Sequence, residues 1–155
     1  MTLTAASHDV AAQRRAAIAV LIMRLTLGIF LLLWSVGKLV VPSATVQIAA
    51  HFYGIALPEA APAFMGSAEL VLSVLLLIGF AQRPVYGLAI LLHATSTLAS
   101  WRQLLDPFGV ARPGNDLFLA GVPVLGAFIA LYLLRGFDTY SLDGWLRLRR
   151  TGLSD

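Results

Sequence analysis

FMGSAELVLSVLLLIGF, residues 64–80, sets a single carboxylate, Glu69, inside a run of residues otherwise compatible with lipid. A charged side chain at that position is costly in a bilayer and calls for a partner. Around this run the chain has 155 residues, 59% hydrophobic and 12% charged, with a mean hydropathy of +0.83. A soluble domain of this size is nearer half apolar and a quarter charged. The apolar excess falls in long runs instead of periodic stripes, which predicts a membrane protein.

Four segments supply the roughly 20 apolar residues that a spanning helix needs. They run from about 16 to 40, 60 to 81, 85 to 101 and 117 to 134. Backbone polar groups in lipid must bond internally, so the segments read as helices. The predicted fold class is all-α: one domain over residues 1–155, a four-helix transmembrane bundle. Gln82-Arg83-Pro84 marks a tight turn, with Pro84 suited to a first helical position. The connection at 40–62 suggests a short interfacial helix over Ser43 to Tyr53, capped by Ser43. Pro123 falls inside the fourth span and predicts a kink there.

Charge gives an orientation. Arg14, Arg15, Arg83, Arg147, Arg149 and Arg150 flank one side of such a bundle, and Lys38, Arg102 and Arg112 the other. Both termini are therefore predicted cytoplasmic. The net charge of +3 is modest and sits at span ends, which fits topology signalling and not nucleic-acid binding. With no cysteine, the chain carries no disulfide, thiolate metal site or thiol chemistry of its own. His51 and Glu59 lack a metal-ligand spacing, and no metal site is expected.

The polar residues inside the spans are the candidate site. Counted at about 1.5 Å per residue, Arg24 lies roughly 10 Å from the cytoplasmic end, Glu69 roughly 18 Å and His93 roughly 12 Å. Arg24 is thus the expected counter-charge of Glu69, with His93 in the same layer. One reading makes this an ion pair that fixes helix register; the other makes it the lining of a pocket for a polar head group or a proton path. Arg24, Glu69 and His93 are the candidate catalytic residues, and Trp34, Lys38 and Trp101 the candidate ligand-binding ones. His93, Thr97 and Trp101 recur at helical spacing and are expected on one face. His93 alone is either a hydrogen-bonded core residue or a ligand, including a haem ligand paired with a second copy. Ser35, Ser67, Ser73, Ser96 and Thr97 read as helix-packing residues.

RLTLGIFLLLWSVGKL (Arg24 to Leu39) resembles the first helix of DoxX-like membrane proteins. HFYGIALPE followed by AELVLSVLLLIGFAQRP is similar to that family's second-helix region, and GFDTYSLDGWL (Gly136 to Leu146) to its close. The resemblance covers about residues 20 to 146. It implies a four-helix membrane bundle at the bacterial inner membrane, with Arg24, Lys38 and Glu69 at the family's polar positions. The family includes subunits of thiosulfate:quinone oxidoreductases, so the implied function is binding of a small lipophilic molecule, a quinone being the candidate, in support of electron transfer or detoxification. A non-catalytic subunit that recruits a partner enzyme, or a small-solute transporter or channel, are the alternatives. The expected partners are the lipid bilayer and a protein partner or second copy, with no nucleic acid.

Overall fold

The computed structural model describes residues 2–110, 115–150 and 152, with side chains from Asp9 onward. Arg112 of the orientation argument lies outside the described residues. The described residues are all helical or irregular, with no strand. Helix α1 runs Thr2–Val40, α2 Pro42–Ile48 with a π-helical turn at Ala49–Tyr53, and α3 Ala61–Ile78. Helix α4 follows at Gln82–Ala99 and α5 at Trp101–Leu105. A 3-10 turn at Asp116–Ala120 leads into α6, Gly121–Leu133, and α7 is Leu142–Arg150. α1 packs mainly on α3, and α4 on α6.

The burial pattern is that of a protein in lipid. Ile22, Ile29, Leu33, Val71, Leu91 and Leu133 are exposed, whereas Arg24, Ser35, Glu69, Ser73, His93, Thr97 and Asp138 are buried. Apolar exteriors of this extent are unusual in a soluble monomer. Three helical stretches are long and apolar enough to cross a membrane: Asp9–Val40, Ala61–Ile78 and Asp116–Leu133. α4 is as long as α3 but is not among the three, because Gln82, Arg83, His93 and the Thr95-Ser96-Thr97 run dilute its apolar content.

Glycines fix the register of α1 against α3. A Cβ on Gly28 would lie 2.6 Å from Leu77, and one on Gly66 would lie 2.8 Å from Leu39. The two helices therefore run antiparallel with backbones in close approach, as small residues permit in membrane bundles. This register sets Lys38 opposite Glu69 and carries Arg24 to the far end of α3.

Several boundaries differ from expectation. α2 starts at Pro42, with Val41 as N-cap and no side-chain cap; Pro42 at the first position leaves Ser43 inside the helix, so Ser43 does not cap it. α4 begins at Gln82, which puts Pro84 third, still within the turn whose N–H groups have no helical partner. Pro123 does not kink a continuous fourth span. It sits in the first turn of α6, where the 3-10 turn gives way to α-helix.

α3 ends in a Schellman motif: Gly79 is left-handed, its N–H donates to Leu76 and that of Phe80 to Leu75. A glycine tolerates this conformation without a Cβ clash.

Candidate functional site

Two polar clusters lie at different levels of the bundle. The first gathers around Arg24 at the α3–α4 turn. Its Nε pairs with the Asp138 carboxylate at 3.2 Å, with both side chains essentially inaccessible. Its Nη1 and Nη2 donate to the carbonyls of Leu77 and Tyr140. Asp138 also accepts from Gln82 Nε2 at 3.0 Å and from the Tyr86 hydroxyl. The segment after Asp138 is tied to the same turn. Ser141 Oγ donates to the Asp138 carbonyl at 2.6 Å and accepts from the Gly144 N–H at 3.1 Å, capping α7. The Asp143 carboxylate accepts the N–H groups of Ala81 and Gln82 at 3.1 and 2.9 Å. These bonds answer the unpaired donors at the start of α4. The cluster is a clasp that holds the C-terminal segment on α1, α3 and α4, and each of its charged groups has a partner.

The second cluster centres on Glu69, whose carboxylate accepts from Lys38 Nζ at 2.6 Å. Ser73 Oγ donates to the Glu69 carbonyl at 2.7 Å. Lys38 Nζ also stands 5.4 Å from the Trp34 ring centroid.

The expected Arg24–Glu69 pair is therefore not formed. Arg24 takes Asp138 and Glu69 takes Lys38. Glu69 is eight residues before Leu77 along α3, about 12 Å of helix, and the depth count from Ala16 placed Arg24 too far along the bundle. His93 does not join Arg24 either.

His93 instead shares a cavity of about 160 Å³ lined by Phe30, Trp34, His93, Ser96, Thr97, Ser100, Phe118, Ala120, Gly121 and Val124. Its ring lies 5.6 Å from Phe30, 6.2 Å from Trp34 and 5.5 Å from Phe128. Nε2 is 3.1 Å from the Gly121 carbonyl. His93 Nδ1 and Thr97 Oγ1 are buried without a hydrogen-bond partner, the two such side-chain atoms among the described residues. Both residues line the cavity, but these two atoms themselves are sealed from it. Trp34 joins this cavity to the Lys38–Glu69 pair.

Trp101 leaves the His93 face. α4 stops at Ala99, Ser100 departs from helical geometry, and Trp101 opens α5, half-exposed beneath the Arg102 guanidinium. Ser35 and Ser73 bond back to helix carbonyls, in keeping with packing, whereas Thr97 and Ser96 line the cavity. No group of three or more metal-ligating side chains occurs among the described residues. A haem role for His93 does not fit. The imidazole is 3% exposed, its Nε2 is engaged with the Gly121 carbonyl, and its Nδ1 is sealed from solvent, which leaves no ring nitrogen open to an iron.

Asp138, Gln82, Tyr86 and Gly121 are the structural partners that sequence reasoning did not single out. Asp138 carried a signal, being the first acid after the fourth apolar run, at the end of the bundle where Arg24 lies.

The helices and buried polar clusters define an all-helical integral membrane protein with an aromatic-lined cavity that opens beside Trp34. The DoxX family model matches residues 19–102, more than half of the chain, and the protein belongs to the DoxX family. No curated protein and no solved structure matches it. The matched span holds Arg24, Lys38, Glu69 and His93, while Asp138 and Gly121 lie beyond it.

Proposed function

We propose that the protein holds a small lipophilic molecule, through a single-ring head group, in the cavity between His93 and Trp34. The observation that carries this reading is the cavity itself, about 160 Å³, walled by the rings of Phe30, Trp34 and Phe118 and bordered by His93, Ser96 and Thr97. Pockets that bind organic ligands share this build, apolar walls with a few placed polar groups. Four helices, α1, α3, α4 and α6, cross the bacterial inner membrane in this reading. α4 is tolerated because its polar face is buried against its neighbours. The Arg segregation puts both termini in the cytoplasm.

Roles follow from which side chains line the cavity and which are committed elsewhere. Arg24, with its donors committed to Asp138, Leu77 and Tyr140, secures the clasp and does not polarise a ligand. His93, Ser96 and Thr97 supply the polar part of the cavity wall, and Phe30 and Trp34 hold the ring. Glu69 keeps Lys38 against Trp34 and so shapes the cavity wall. A quinone-type ring is the candidate, and such a ring supplies a couple of two electrons and two protons when bound. The reaction this would support is electron transfer or detoxification, with a protein partner exchanging the electrons.

The test is mass analysis of the organic extract of protein purified in lipid nanodiscs, wild type against Ala120→Phe, which fills the cavity. A ring compound near one per chain in the wild type and depleted in the variant is the expected result. Identical extracts holding phospholipid alone would overturn the reading.

A further inference from the structure

Helix α7 carries more positive charge than the clasp uses. It holds Arg147, Arg149 and Arg150 against one acid, Asp143, and that carboxylate is committed to the N–H groups of Ala81 and Gln82. Asp138, the other acid of the clasp, is paired with Arg24. Arg147 turns inward, donating to Gln82 Oε1 at 3.5 Å and to the Asp138 carbonyl at 3.4 Å. Arg149 and Arg150 are exposed, and neither is in an ion pair among the described residues.

The helix also starts where a spanning helix ends. The Asp143 N–H donates to the Gly79 carbonyl at 3.1 Å, one residue past α3, which is long and apolar enough to cross a membrane. Gly144 permits this tight return, because a Cβ there would collide with the Thr139 carbonyl. Trp145 and Leu148 are half-exposed and lie three apart on one face of α7. Phe137 and Tyr140, just before the helix, are half-exposed as well. Aromatic rings gather in this way where a protein meets the headgroup layer. Arg149, four residues after Trp145, stands 3.9 Å over its ring, so the charge is held beside the apolar anchor instead of extended into water.

A helix with apolar anchors and arginines lies in the plane of the headgroups and is drawn to anionic lipid. A guanidinium also matches phosphate oxygens with two parallel N–H bonds. We propose that α7 is a binding site for anionic phospholipid: Trp145 and Leu148 sink into the acyl boundary, and Arg149 and Arg150 take the lipid phosphate. The clasp fixes the helix at that depth, and the proposal is independent of what the cavity holds.

The full chain is placed in phosphatidylcholine nanodiscs doped with brominated phosphatidylglycerol or with brominated phosphatidylcholine, whose bromines quench tryptophan on contact. The emission of Trp145 is taken from the difference against Trp145→Phe. The expected result is quenching by both lipids, half-complete at a roughly fivefold lower fraction of the phosphatidylglycerol, the worth of about 1 kcal/mol for one basic residue at an anionic surface. In Arg149→Gln/Arg150→Gln, and in the wild type at high salt, the preference falls toward unity while quenching persists. Equal quenching by the two lipids in the wild type would overturn the assignment to anionic lipid. Emission quenched by acrylamide in water and untouched by either lipid would overturn the interfacial placement and make α7 a docking face for a soluble protein.

Discussion

Replacing Asp138 by Asn tests the clasp at its most connected atom pair. The carboxylate accepts from Arg24, Gln82 and Tyr86 in a site with no solvent access. Asn keeps the volume but withdraws the charge that balances Arg24, and it turns an NH2 group toward other donors. Breaking a buried ion pair by removing one partner costs about 3–5 kcal/mol. Arg24 retains the carbonyls of Leu77 and Tyr140, so the lower end applies, about 3 kcal/mol, or more than about 100-fold in the unfolding equilibrium. The assay is reversible unfolding in mixed micelles followed by circular dichroism. Arg24→Met removes the other partner, and the double variant should recover at least about 1 kcal/mol relative to the sum of the singles. The parallel cycle of Arg24→Met with Glu69→Gln should show coupling below about 0.5 kcal/mol, as separated sites do. Stronger coupling of Arg24 to Glu69 than to Asp138 would refute the assignment of partners.

Lys38→Met leaves the Glu69 carboxylate unpaired and should destabilise more than the double variant Lys38→Met/Glu69→Leu, measured by the same unfolding assay. Gly28→Ala forces a methyl to 2.6 Å from Leu77 and should cost about 1–3 kcal/mol, with a smaller effect when Leu77→Ala is added. Thr97→Val removes an orphaned buried hydroxyl and should leave stability unchanged or raise it by up to about 1 kcal/mol in the same unfolding assay. A stability loss would assign Thr97 to packing.

The long apolar runs made the helices legible, because lipid admits few other backbone solutions. Their polar residues were legible as a set, since an Arg, a Lys, a Glu and a His in such runs stand out on cost alone. The pairing was not. Which charge meets Glu69 depends on the antiparallel register of α1 and α3, and that register is set by Gly28 against Leu77 and Gly66 against Leu39. Had the two glycines been taken as contact points, Lys38 would have fallen opposite Glu69. Asp138 was hidden for another reason, since it lies 114 residues from Arg24 and just past the last span. Gly121 gave no signal of its role, because what it contributes is a backbone carbonyl and the absence of a side chain. Trp101 was misplaced because helical spacing was carried across Ser100, where the helix ends.

The most direct measurement is the ¹⁵N spectrum of histidine-labelled protein in nanodiscs, carried in a His8→Gln/His51→Gln background so that His93 reports alone. A neutral ring protonated at Nε2 and bonded to the Gly121 carbonyl, whose resonances shift when a single-ring compound enters the cavity, is the predicted result. His93 resonances indifferent to every single-ring compound added would contradict the cavity as the binding site and return His93 to the role of a packed core residue.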